Sequence, residues 1–115
     1  MKVIIAGSRG FSDYELLKAE LNILIHHKKV EEVVSGTANG ADKLGEKWAK
    51  EYSFNVKQFP ADWNKFGKRA GYIRNEEMAK YATHCVVFWD GKSKGSKHMI
   101  DLAKKYNLIT EVILI

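Results

Sequence analysis

The 115-residue chain is predicted to form a single α/β domain with a Rossmann-like, doubly wound, mostly parallel sheet. Five strands in the order 3-2-1-4-5 carry helices on both faces. Three observations lead there. Apolar strand-like runs alternate with helical patterns from one end of the sequence to the other, which marks βαβ units. Two runs, Lys2 to Ala6 and His84 to Trp89, are strongly apolar, as strands buried on both faces are. A third run, Asn55 to Phe59, is polar at alternate positions and closes on Pro60, as an edge strand does. The stated order puts the two apolar strands in the middle. The flavodoxin-like order 2-1-3-4-5 would bury the polar one.

The elements follow in turn. After the strand Lys2 to Ala6, a first helix is expected from Asp13 to His27. Ser12 and Glu15 have the spacing of a capping box, and Phe11 and Leu16 that of a hydrophobic staple. Leu17, Leu21, Leu24 and Ile25 share one helical face. A second strand, Val30 to Ser35, leads to a helix beginning near Ala41, with Leu44, Trp48, Ala49 and Tyr52 on one side. Beyond the edge strand, a loop from Ala61 to Lys68 carries Trp63 and Phe66. A third helix covers Arg69 to Tyr81. The strand His84 to Trp89 precedes a helix starting near Ser96, whose Met99, Leu102, Ala103 and Tyr106 repeat at helical spacing. Asn107 can end that helix in a left-handed conformation. The last strand is Glu111 to Ile115. Residues 1–115 read as one domain, with no repeat or linker.

Composition narrows the partners. The net charge of +5, from 19 basic and 14 acidic residues, favours anions without choosing between a nucleotide and a nucleic acid. Its dispersal along the chain equally suits a solvated surface. The one cysteine, Cys85, excludes an internal disulfide and suits a reducing compartment. With no leader pattern and no apolar run of membrane length, the expected location is the cytoplasm. His26, His27, His84 and His98 show no metal-ligand spacing with Cys85 or with each other. No metal or cofactor is expected.

In an open α/β sheet the strands' carboxyl ends share one rim, and ligands bind there where the strand order reverses. Three turns on that rim are rich in Gly and small polar residues: Gly7-Ser8-Arg9-Gly10, Ser35-Gly36-Thr37-Ala38-Asn39-Gly40-Ala41-Asp42, and Asp90-Gly91-Lys92-Ser93-Lys94-Gly95-Ser96. Glycine lets backbone N–H groups approach an anion, and each turn opens a helix whose N-terminus attracts phosphate. Glycine is common in such turns for steric reasons, so one loop says little. Three on one rim, two with cationic side chains, favour a phosphate or ribose site.

Two motif matches fail. Gly91-Lys92-Ser93 looks like the end of a P-loop, but the Gly required five residues earlier is Val86. Gly7-Ser8-Arg9-Gly10 is not G-x-G-x-x-G. The expected ligand contacts are Gly7, Ser8, Arg9, Gly36, Thr37, Asn39, Gly40, Asp42, Arg74, Asn75, Asp90, Gly91, Lys92, Gly95 and Ser96. Arg9 stands where a guanidinium could clamp a phosphate. Asn75 is a poor helix former next to Arg74, which suggests a task. Asp42 and Asp90 are the candidate catalytic carboxylates, as general acid or base, if burial raises their pKa. Asp42 could instead simply favour the helix dipole or bond a ribose hydroxyl. Trp63 and Phe66 could stack a base, whereas Trp89 fits the core better.

Gly7-Ser8-Arg9, the block 35–42, Ala70-Gly71-Tyr72-Ile73-Arg74-Asn75 and the block 89–96 together resemble the SLOG superfamily. That group takes its name from the Smf/DNA-processing protein A group and the Lonely Guy enzymes, and the similarity is greatest to its small YspA/YpsA-related bacterial and phage branch. Four blocks in order span nearly the whole chain. The resemblance implies a Rossmann-like fold and a nucleotide-type ligand. Members bind nucleotides, nucleotide-derived signals or single-stranded DNA, and Lonely Guy enzymes split base from ribose phosphate. Those enzymes place a catalytic Glu three residues beyond their last Gly-Thr. Here Gly95-Ser96 leads to Met99 at that place, so hydrolysis would need another carboxylate, such as Asp42, Asp90 or Glu76.

The expected function is therefore to bind a nucleotide or nucleotide-derived small molecule, as a sensor or sequestering module. The alternatives are a nucleoside 5′-monophosphate phosphoribohydrolase and a single-stranded nucleic acid binder. The apolar last strand, Val112-Ile113-Leu114-Ile115, leads us to expect a homo-oligomer that covers it. No membrane partner is expected.

Overall fold

A computed structural model describes residues 1–115. Five strands, β1 (Lys2–Gly7), β2 (Glu32–Ser35), β3 (Asn55–Gln58), β4 (His84–Trp89) and β5 (Ile109–Leu114), form one sheet in the order β3-β2-β1-β4-β5. Every pairing is parallel: Ile4 stands opposite Val34 and Cys85, Val34 opposite Lys57, and Val87 opposite Val112. The helices are α1 (Tyr14–Leu24), α2 (Ala41–Glu51), a short α3 (Trp63–Phe66), α4 (Ala70–Tyr81) and α5 (Lys94–Lys105).

Alternation along β1 divides the core in two. Val3 and Ile5 pack with Leu17, Leu21 and Trp48, under α1 and α2. Ile4 and Ala6 pack with Met78, Met99 and Ala103, under α4 and α5. Consecutive side chains of a strand point to opposite faces, so a central strand with both faces covered must be apolar throughout. Burial of each such large side chain contributes roughly 1.5–3 kcal/mol. Cys85 is buried in the second cluster. β3 is exposed along its length, as an edge strand of polar residues should be.

This strand order matches the sequence expectation, and the element boundaries differ in explicable ways. Asp13, not Ser12, caps α1: its carboxylate accepts from the Leu16 N–H at 3.1 Å. Phe11 then leaves the staple position and stacks on Phe88, with ring centroids 5.4 Å apart. Helix α1 ends at Leu24, and His27–Lys29 form a separate 3₁₀ turn. The expected loop 61–68 holds the single turn α3, capped by Asp62 through the Lys65 N–H at 3.0 Å. Ser93 caps α5, which starts at Lys94, two residues before the expected Ser96. Asn107 adopts φ 61° after that helix, as expected. β2 and β3 are shorter than predicted, and β5 starts two residues earlier, at Ile109.

The chain leaves β1 toward α1 on one face and β4 toward α5 on the other. The strand order therefore reverses between β1 and β4, and a crevice opens on the carboxyl rim there. β5 has a free edge, on which Ile109 is 64% and Leu114 73% exposed. No helix is long and apolar enough to cross a membrane.

Candidate functional site

Two loops are pinned together at the reversal point. The Ser8 N–H donates to the Phe88 carbonyl at 2.9 Å, and Ser8 Oγ accepts from the Asp90 N–H at 3.1 Å. Ser8 also receives the turn after β2, because its carbonyl accepts from the Ala41 N–H at 3.4 Å. That approach depends on Gly40. Its φ is 81°, and a Cβ there would lie 2.3 Å from the Ser8 carbonyl oxygen. A side chain would thus be both strained and blocked.

The third partner is α4. Arg74 reaches across the rim, and its Nη1 donates to the Gly36 carbonyl at 2.5 Å. Its Nε donates to Asn75 Oδ1 at 3.0 Å. Asn75 Nδ2 in turn donates to the Gly95 carbonyl and to His98 Nδ1, each at 3.3 Å. The Asn75 amide, buried in the middle of α4, therefore ties α5 to the guanidinium of its neighbour. Gly36 leaves the room this needs: a Cβ there would lie 2.8 Å from Asp42 Oδ2 and 2.9 Å from Arg74 Nη1.

Three adjoining pockets result. An outer lobe of about 480 Å³ has Ser8, Arg9, Asn75, Asp90 and the rings of Trp63 and Tyr72 among its walls. An inner pocket of about 70 Å³ reaches Gly7, Asp42, Ser96 and Met99. A side lobe of about 280 Å³ lies over Gly36, Thr37 and Asn39. Arg9 and Arg74 line all three.

The electrostatics of this cleft are unbalanced. Burial lowers the Arg74 pKa from its usual range, and the nearby Arg9 charge adds to that, while Asp42 opposes it. Burial is also the main cause that pushes Asp42 up to about 6, against the Ala38 N–H bond and the two guanidinium charges. Asp90 is different. Its Oδ1 accepts from the Ser93 and Lys92 N–H groups, both at 2.8 Å, and those bonds hold its pKa below the ordinary carboxylate value. Of the two carboxylates considered for acid–base work, only Asp42 has the required burial; Asp90 is exposed.

The predicted residues divide accordingly. Gly7, Ser8, Arg9, Gly36, Thr37, Asn39, Asp42, Arg74, Asn75, Asp90, Gly95 and Ser96 line the cleft. Gly40 shapes it from behind. Gly91 and Lys92 line none of the three pockets, because the Asp90 turn leaves both exposed to solvent. Lys68, Gly71, Tyr72 and Ser93 also line it and were not predicted. Tyr72 precedes Asn75 by three residues and Gly71 precedes Arg74 by three, and that helical spacing was the available signal. No group of three or more His, Cys, Asp and Glu side chains converges to hold a metal ion.

An all-parallel sheet in this order, with a polar crevice between the β1 and β4 loops, defines a Rossmann-like domain. More narrowly, the chain belongs to the YspA, cpYpsA-related SLOG family (YAcAr), whose sequence model matches residues 1–66. It is similar to the Gene 61 protein of Mycobacterium phage D29, with 36% identity over 111 residues, covering 90% of this chain and 89% of that protein. Its fold is similar to that of DNA processing protein A (DprA) from Streptococcus pneumoniae, with a TM-score of 0.78 and 18% identity. That match covers 96% of this chain and 49% of the other, so the chain spans about half of DprA's length.

Proposed function

We propose that the cleft binds a nucleotide or nucleotide-derived small molecule, with phosphate held between Arg9 and Arg74. The observation that carries this is that these two guanidiniums line every pocket of the cleft, where burial and then the Arg9 charge disfavour the charged form of Arg74. An anion bridging two guanidiniums relieves that repulsion and accepts paired, charge-assisted hydrogen bonds. The exposed ring of Trp63 and the ring of Tyr72 offer a flat apolar wall to a base. Membership of the SLOG family supports the same ligand class.

The test is thermal shift followed by calorimetry against ribonucleotides, cyclic oligonucleotides and ADP-ribose derivatives. Stabilisation of the native chain, lost in Arg9→Ala, is expected. No stabilisation by any of them at millimolar concentration contradicts the reading.

A further inference from the structure

Asp42 is the one carboxylate among the residues of the inner pocket. It is 5% exposed, and only one of its oxygens is used within the chain. Oδ2 accepts from the Ala38 N–H at 3.2 Å, whereas Oδ1 has no donor. Oδ1 is not sealed off, since Tyr14 Oη is the one buried side-chain polar atom that lacks a partner; Oδ1 is an open acceptor on an otherwise buried side chain, where a ligand donor can reach it.

We propose that Asp42 Oδ1 accepts a hydrogen bond from a sugar hydroxyl, so that the ligand is a ribonucleotide held sugar inward with its phosphate outward between Arg9 and Arg74. This rests on the nucleotide reading above and adds the ligand's orientation and sugar. Three features support it. The inner pocket of about 70 Å³ is far smaller than the 480 Å³ outer lobe, so it admits hydroxyl-bearing atoms and leaves the base to the outer lobe with Trp63 and Tyr72. A phosphate pushed inward would meet the Asp42 carboxylate, and like charges at close range repel. A cationic ligand group would meet Arg9 and Arg74, which share that pocket. A neutral donor suits both constraints, and an ionised carboxylate can only accept.

Such a site should discriminate strongly. A deoxy sugar leaves Oδ1 unpaired once the bound ligand closes it off from solvent, and sites built to bond a hydroxyl reject the analogue that lacks it. The experiment is calorimetry on the full chain at pH 7.5 with the four ribonucleoside 5′-monophosphates and their 2′-deoxy and 2′,3′-dideoxy counterparts. For the base that binds best, the ribose form is expected to bind at least about 10-fold tighter than the dideoxy form. Asp42→Ala and Asp42→Asn should both reduce that ratio. In Asp42→Asn the Ala38 N–H keeps the amide oxygen, which turns the NH₂ group toward the pocket in place of an acceptor. This second variant preserves side-chain shape should the Ala form not fold.

Equal binding of ribose and dideoxy forms by the unsubstituted chain overturns this inference and leaves the nucleotide reading standing. A ribose preference that persists unchanged in both variants also overturns it, because another group then reads the sugar. Binding of none of these monophosphates, alongside binding of a larger nucleotide derivative, overturns the sugar-inward pose alone. Binding of no nucleotide of any kind overturns both readings.

Discussion

The Arg74 guanidinium donates to the carbonyl of Gly36, 38 residues earlier in the chain, and so joins α4 to the turn that follows β2. This contact closes the cleft on one side. It also fixes Arg74 against the backbone of the turn that carries Asp42, so that one cation and one carboxylate flank the same glycine.

That arrangement makes Gly36→Ala a probe of the site rather than of the fold. The added Cβ would meet only side-chain atoms, Asp42 Oδ2 and Arg74 Nη1 and Cδ. Flexible side chains can yield, so the expected loss of stability is modest, about 1–2 kcal/mol. Displacing Arg74 should weaken nucleotide binding roughly 10-fold or more, in line with the loss of a charge-assisted hydrogen bond. Denaturant unfolding and calorimetry on the same sample separate the two effects.

Gly40→Ala should instead act mainly on the fold. Its Cβ would meet backbone atoms of Ser8 and Arg9, which cannot step aside, and its φ of 81° is unfavourable for an L side chain. A loss of roughly 2–4 kcal/mol is expected, visible as a lowered unfolding midpoint. An unchanged midpoint would mean that the packing of the β1 and β2 turns differs from that described.

Asp42 gives a pH dependence of definite sign. Its pKa rises from the ordinary 3.8 to about 6, chiefly through burial, with Glu46 adding to the rise and the Ala38 N–H, Arg74 and Arg9 opposing it. The folded chain thus holds the proton more tightly than the unfolded chain. The resulting stability is complete below the unfolded pKa and is lost as pH rises through about 6, a contribution on the order of 3 kcal/mol. Asp42→Asn removes the buried charge. It should be more stable than the unsubstituted chain at pH 7.5, with a Tm higher by roughly 10 °C, and the difference should shrink toward pH 4. Urea unfolding of both proteins from pH 4 to 7.5 checks this.

Salt dependence separates a nucleotide site from a nucleic-acid surface. One phosphate between two guanidiniums predicts a shallow slope of log affinity against log salt, of about one or two. Arg9 is exposed, so Arg9→Ala should leave the unfolding midpoint within about 0.5 kcal/mol of the unsubstituted value while affinity falls at least about 10-fold. A slope of several units on single-stranded DNA, with no binding of mononucleotides, would favour the nucleic-acid reading instead.

The strand order was legible because burial writes itself into composition. Val3, Ile4 and Ile5 are all buried, whereas Asn55, Lys57 and Gln58 accompany an exposed edge. Helix starts were less legible, because Ser12 and Asp13 are both good caps and the pattern alone does not choose between them. The turn Trp63–Phe66 is too short to leave a periodic signal. In the site, the glycines and Arg9 could be read from their place after β1 and β2. Tyr72 could have been found from its helical spacing to Asn75, but the part played by Lys68, just before α4, depends on how the segment entering α4 lies across the rim, a tertiary relationship that spacing along the chain does not encode. Lys92 looked well placed by sequence, yet the Asp90 turn leaves it exposed and away from the pockets.

A crystal structure with a bound ribonucleotide tests the central claim most directly. The account predicts phosphate density between the Arg9 and Arg74 guanidiniums, in the crevice between the β1 and β4 loops. Phosphate found instead on another basic surface, such as the groove beside Lys43, Lys47 and Lys50, with the cleft empty of ligand, would contradict it.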